Sequence, residues 1–217
     1  MTNSQQTRGH RKKEKTRAQL VAAGLRVLAT KGEGLVASDV TAEADVAIGT
    51  FYNYFADRDA LIDVITEEQL HTLAATASTF EKPIPDPALR VALTAAAVLH
   101  RAATDDPWAR LVMRLVSRPT IYNRINGFLR DDLAEGLAQG RFNTKPDDAT
   151  LDQITGLLVM TIRRIAAGEA KSTTASRAVA RCLRALGVPE DEAADLAKTA
   201  ARMIVRKRRA SGGLRSD

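Results

Sequence analysis

The chain has 217 residues and a mass of 23.5 kDa, enough for one large domain or two small ones whose core needs no cross-links. Its single cysteine, Cys182, excludes a disulfide framework and a cysteine-based zinc site and suits a reducing compartment. The formal net charge of +6 is unevenly divided: residues 1–31 carry +7, residues 202–217 carry +5, and the stretch between them carries −6. An acidic body with two basic ends points to a localised anionic partner rather than to general adhesiveness. The polar stretch Met1 to Arg17 has no apolar centre and does not read as a signal peptide. No apolar run approaches the ~18 residues of a membrane span, so no membrane partner is expected and the expected address is the cytoplasm. Aromatic residues make up only 4% of the chain, yet Phe51, Tyr52, Tyr54 and Phe55 fall within five positions.

In chain order the pattern is helical almost throughout, with Ala, Leu, Arg and Glu filling long windows and no period-two clusters of β-branched residues. The first helix is predicted from about Arg11 to Lys31, with Gly32 as its C-terminal stop. A short helix follows from about Ala37 to Ala44, then a break at Asp45 and a second short helix from Ile48 to Tyr54. Asp57 is placed to cap a helix running to about Phe80. Lys82 to Pro87, with three prolines, is the clearest boundary. Beyond it helices are predicted over Ala88–Thr104, Trp108–Val116 and Thr120 to about Gln139, two of them opening next to prolines that suit a first turn. A Gly, Asn and Pro cluster at 140–146 separates these from a helix carrying Leu151, Ile154, Leu158, Ile162 and Ile165. Helices near Ala175–Leu186 and Glu190–Arg208 complete an all-α chain.

The chemistry concentrates near residue 50. Val40, Ala44, Val46, Phe51 and Phe55 are spaced as two short helices packed at a steep angle around a tight turn require, which is a helix-turn-helix whose second helix fits the major groove of DNA. With Phe51 and Phe55 inward, the other faces carry Ile48, Gly49, Thr50, Tyr52, Asn53 and Tyr54. Gly49 permits close backbone approach, Thr50, Tyr52 and Tyr54 offer hydroxyls to phosphate oxygens, and Asn53 suits adenine. The recognition helix contains no Lys or Arg. Charge neutralisation therefore falls to Arg58 and to Arg11, Lys12, Lys13, Lys15 and Arg17. Spacing alone equally allows two short amphipathic helices of an ordinary bundle, with Phe51 and Phe55 simply as core.

The stretch from Gly34 through Asp39-Val40-Thr41-Ala42-Glu43-Ala44-Asp45-Val46-Ala47-Ile48-Gly49-Thr50-Phe51-Tyr52-Asn53-Tyr54-Phe55 to Asp57-Arg58-Asp59-Ala60-Leu61 resembles the DNA-binding domain of TetR-family transcriptional regulators. The resemblance covers about residues 12–65 and is most specific in Gly-Thr-Phe-Tyr-x-x-Phe. It implies DNA-facing roles for Thr50, Tyr52, Asn53 and Tyr54, and a phosphate contact for Arg58. Three positions depart from the family pattern. Asp45 stands where Gly is usual, and Asp tolerates the left-handed conformation better than most residues. Ala47 replaces a polar N-cap, and Val36 replaces a Thr that caps the second helix, leaving Ser38 as an alternative cap and phosphate ligand.

The resemblance also implies a larger helical domain that binds a small molecule and dimerises through its last helices. The dimer interface is then expected from Leu151, Ile154, Leu158 and Ile162 on one helix and Leu196, Ala200, Met203 and Ile204 on another, with the protomer's own core as the competing role. Polar or bulky side chains within apolar helices, His100, Trp108, Met113, Tyr122, Asn126, Phe128 and Met160, are the pocket candidates. The expected division is a disordered basic arm over 1–10, a helix-turn-helix domain over 11–57, a connecting helix over 58–81, a ligand-binding and dimerisation domain over 82–208, and a disordered tail over 209–217. His10, His71 and His100 lie far apart with no metal-ligand spacing, and no nucleotide, hydrolase or metalloprotease motif occurs. No enzyme activity, metal or cofactor is expected. The expected function is a repressor, bound as a homodimer to a palindromic double-stranded DNA operator and released by a small-molecule effector. A DNA-binding protein of the same fold that acts through a protein partner, of nucleoid or cell-division type, is the alternative.

Overall fold

The computed structural model describes residues 3–78, 84–116, 119–170 and 173–212, and among these there are ten α-helices, one 3-10 turn and no strand. The chain divides into two compact units, Met1–Gln69 and Leu70–Asp217.

The first unit holds α1 (Asn3–Lys31), a 3-10 turn (Gly32–Gly34), α2 (Ala37–Glu43), α3 (Ile48–Tyr52) and the start of α4 (Arg58–Ser78). α1 begins at Asn3 rather than at about Arg11, so residues 3–10, expected as a disordered arm, are helical. Gly32 ends it at φ +63°, a conformation that costs glycine nothing. The core of this unit is Leu20, Leu28, Leu35, Val40, Phe51, Leu61, Ile62 and Ile65, each at most 1% exposed. At Gly24 the helices approach so closely that an added Cβ would lie 2.8 Å from Leu61 Cδ2 and 3.0 Å from Ile65 Cδ1. Asp57 accepts from the Ala60 N–H at 2.8 Å, as its position before α4 predicts.

The second unit contains α5 (Pro87–Thr104), α6 (Asp106–Leu115), α7 (Pro119–Ala138), α8 (Asp148–Ala166), α9 (Thr174–Ala185) and α10 (Glu190–Gly212). α5 packs against α6, α7, α8, α9 and α10, and its alanines 88, 92, 95, 96, 97 and 102 are all buried. A helix surrounded on most sides must be apolar on most sides, and small residues let five neighbours approach it. Side-chain caps start three of these helices: Asp86 accepts from Ala88 N–H at 2.9 Å, Asp105 from Trp108 N–H at 3.1 Å and Asp147 from Thr150 N–H at 2.9 Å. α10 continues to Gly212, so residues 209–212 of the expected tail are helical, while 213–217 lie outside the described residues.

The residues expected at the dimer interface are largely covered within the single chain. Leu151, Ile154, Ile162, Ala200 and Ile204 are at most 5% exposed within the single chain, and Leu158, Leu196 and Met203 pack against the same core. Side chains covered by their own protomer have little area left to give a second one. The apolar stripes face inward because α8 and α10 both line the buried centre around α5.

Candidate nucleic-acid interface and effector domain

α2 and α3 are joined by a turn in which Asp45 adopts φ +52°, the left-handed conformation that Gly usually supplies. The turn is closed by Val46 N–H donating to Thr41 O at 3.0 Å. A contact that sequence reasoning missed braces it: Gln19 Nε2 on α1 donates to Ala44 O at 2.8 Å, satisfying one of the carbonyls that α2 leaves open at its end. Two ion pairs fix α2 against α1, Arg26 to Glu43 and Lys31 to Asp39, each at 2.6 Å. Two of the N-terminal basic side chains are thus engaged inside the unit. The Lys31 hydrogen bond is the main influence on the Asp39 carboxyl and holds it below the ordinary value.

Val36 is the N-cap residue of α2 and has no side-chain acceptor; instead Asp39 Oδ2 accepts from the Val36 N–H at 3.3 Å. Ser38 lies inside the first turn of α2, exposed, so it is not the alternative cap. Ala47 is the N-cap of α3 and makes no side-chain cap bond. α3 ends at Tyr52, with Asn53 as its C-cap, shorter than the predicted Ile48–Tyr54. Phe51 and Phe55 are buried at 0% and 3%, whereas Ile48 is 49% and Tyr52 60% exposed. Gly49 and Asn53 are also exposed, and Thr50 and Tyr54 are half-buried. The Tyr52 ring meets Phe51 edge-on, centroids 5.4 Å apart. Lys12, Lys13 and Arg17 are exposed on α1, and the Arg17 guanidinium lies 5.7 Å from the Phe55 ring centre, which brings that charge to the helix-turn-helix. Arg58, in the first turn of α4, lies 3.9 Å from Asp59.

The pocket candidates of the second unit are spread over α5, α6, α7 and α8. Tyr122 and Asn126 on α7 meet α8, where the Tyr122 hydroxyl donates to Asp152 and Asn126 Oδ1 accepts from Thr155 Oγ1 at 2.8 Å. Burial first, then the Asp152 hydrogen bond, raises the Tyr122 pKa above its ordinary value, against an opposing hydrogen bond with Asn126. Thr155 and Asp152 were not singled out from sequence; the available signal was Thr155 standing beside Ile154 on the buried face of α8. His100 is half-buried on α5, and Trp108, 3% exposed on α6, has the Arg101 guanidinium stacked 4.7 Å from its ring centre. Trp108 Nε1 is buried without a hydrogen-bond partner. Met113 is half-buried against the core, and the Phe128 side chain lies outside the described residues. Met160, expected in the pocket, is 46% exposed on α8. A groove of about 490 Å³ between α8 and α9 is lined by Gln153, Ile154, Leu157, Arg181, Cys182, Arg184 and Ala185, and it includes none of the pocket candidates. Burial pushes the Cys182 thiol up to about 12, so it stays protonated and unreactive at neutral pH. Among the described residues there is no cluster of metal-binding side chains and no helix long and apolar enough to cross a membrane.

An exposed short helix after a tight turn, backed by two buried phenylalanines and flanked by exposed basic residues, defines a helix-turn-helix DNA-binding protein with a separate helical C-terminal unit. The family models agree at both ends: residues 20–65 match the bacterial regulatory proteins of the tetR family, and residues 86–199 match the tetracyclin repressor-like C-terminal domain. The chain belongs to the TetR family of transcriptional regulators. No curated protein matches it. Among solved structures it is similar to RolR in complex with resorcinol, at 26% identity over 87% of this chain and 95% of that one, with a TM-score of 0.66. A gamma-butyrolactone receptor described as ArpA-like (20% identity, 90% and 98% covered, TM-score 0.62) and a TetR-family regulator from Haemophilus influenzae (17%, 80% and 97%, 0.62) share the fold.

Proposed function

We propose that the protein is a repressor that binds a palindromic operator as a homodimer and leaves it when a small molecule enters the C-terminal domain. The observation that carries the effector part is the buried polar group on α7 and α8: Asn126 and Thr155 are 8% and 4% exposed inside an apolar bundle, with Tyr122 beside them. An apolar domain that keeps a few convergent polar groups suits selective binding of a small ligand. The similarity to RolR, solved with resorcinol, makes phenolic compounds the first set to screen.

On DNA, Ile48, Gly49, Thr50, Tyr52, Asn53 and Tyr54 face the major groove, while Lys12, Lys13, Arg17, Ser38 and Arg58 serve the phosphates. Two such heads address half-sites about 34–36 Å apart. For the dimer, the exposed side of α8 replaces the buried stripes. Gln153, Met160 and Arg164 are exposed along it at spacings of seven and four, with Leu157 between them half-buried against the protomer's own core, a narrow seam of the kind that pairs helices. Gly156 beside it has nothing within 4 Å of its Cβ position. Asp148 marks the first turn of α8 and Arg163 and Arg164 the last, so an antiparallel copy brings opposite charges toward each other across a two-fold axis. Effector binding then favours a state with the wrong head spacing, through a coupling of typically ~1–3 kcal/mol.

The test is selection of bound sites from random duplex DNA, followed by a screen of phenols and other metabolites for release from the winning site. A selected palindrome and a releasing compound support the reading. Recovery of no preferred sequence sinks it.

A further inference from the structure

The N-terminal end of the recognition helix has no side-chain hydrogen-bonding chemistry. Ala47 caps α3, Ile48 is its first residue and Gly49 its second. All three are exposed, and no side chain among them holds a donor or an acceptor. Yet helix-turn-helix proteins bring the N-terminal residues of this helix to the base edges. Sequence there is read by side-chain hydrogen bonds, which these residues cannot make, or by apolar contact. In the major groove the four base pairs offer one apolar group, the C5 methyl of thymine. Of the three residues, Ile48 has the reach: it is 49% exposed, and the space beside it, at the Gly49 Cβ position, is open to 4 Å. Tyr52, one turn later, is 60% exposed and shares its side of the helix. Edge-on contact with buried Phe51 supports the Tyr52 ring, so Ile48 has a braced aromatic neighbour.

We infer that Ile48 is a specificity-determining residue that reads a thymine through its 5-methyl group, once in each operator half-site. The inference rests on the operator-binding reading above and adds the base and the group that is read.

Burying one methyl-sized group changes an affinity by about fourfold. With the full-length protein and the selected operator, each thymine is replaced singly by deoxyuridine, which removes the methyl and keeps the pairing, and affinities are compared at one salt concentration. One thymine position per half-site is expected to lose about fourfold. At that position Ile48→Ala should be indifferent to the methyl, while Ile48→Val keeps the discrimination and methyl effects elsewhere are unchanged. A selected operator in which no deoxyuridine weakens binding overturns the inference alone, as does a methyl effect that persists undiminished in Ile48→Ala. Failure to select any operator overturns the operator reading and this inference together. Where Ile48→Ala folds poorly, the scan on the unaltered protein can still overturn the inference, and the comparison with Ile48→Val assigns the methyl effect.

Discussion

The Thr155 hydroxyl on α8 donates to Asn126 Oδ1 on α7 at 2.8 Å, and both residues are more than nine-tenths buried. A buried pair of this kind is worth less than the penalty for breaking it, because the remaining group loses water and partner alike. Asn126→Ala is expected to lower the unfolding free energy by ~1–3 kcal/mol, measured by urea titration. Thr155→Val alone and the double variant complete a cycle, and the two effects should fall short of additive. Fully additive losses mean that the hydrogen bond does not couple the helices.

The turn between α2 and α3 carries a different strain. Asp45 sits at φ +52° with an exposed side chain, so its conformation, rather than any contact, dominates its contribution. Asp45→Gly removes the Cβ conflict and should stabilise the protein by up to ~1 kcal/mol, less whatever the freer unfolded chain takes back. Asp45→Val, branched at Cβ, should destabilise it by more than Asp45→Gly gains. Thermal unfolding of the two variants under one buffer checks both signs.

The helix-turn-helix was legible in the sequence because its determinants are local. Phe51 and Phe55 fix the inner face, and Asp45 and Asp57 mark a turn and a cap within a few residues of what they control. A dimer surface is not legible in the same way. Leu151, Ile154 and Ile162 form the stronger apolar stripe, and a stripe does not say whether its cover is α5 of the same chain or a second chain. Contacts between distant segments, such as Gln19 with Ala44 or Thr155 with Asn126, have no local pattern to announce them. α1 starts at Asn3, inside the stretch expected as a disordered basic arm.

Arg17 gives a test of the electrostatic surface. Its guanidinium is exposed and positioned over the Phe55 ring, next to the recognition helix. Arg17→Ala should weaken binding to specific and random duplexes alike and lower the slope of log affinity against log salt by about one unit. Arg26→Ala should leave that slope unchanged, because Arg26 is held by Glu43. Equal slope changes in the two variants count against Arg17 as the phosphate ligand.

Asp86 couples the second unit to pH. It caps α5, accepts from Arg141 Nε at 2.8 Å, and shares Arg141 with Glu192. Burial pushes its pKa up, but the Arg141 hydrogen bond, the Ala88 N–H and the charges of Arg141 and Arg90 together leave it below the ordinary value. A depressed carboxyl contributes stability above its unfolded pKa of about 3.9 and loses it as the pH falls through the folded value. Asp86→Asn should therefore be less stable than the parent at pH 7, with the gap closing below about pH 4. A gap independent of pH means that the cap's geometry, not its charge, is what the substitution removes.

The seam on α8 makes the last prediction. Met160 is 46% exposed, so a charge placed there costs the isolated protomer little. Between two copies, Met160→Glu replaces the apolar contact with an unpaired carboxylate from each protomer inside the interface. The variant should keep the parent's helical content and sediment as a monomer at micromolar concentration, with operator affinity reduced by at least tenfold because the two half-sites are no longer addressed as one unit. Leu196→Glu serves as the contrast: Leu196 packs against the protomer's core, so that substitution should lower the melting temperature whatever the assembly state. A Met160→Glu protein that remains dimeric places the interface on another face.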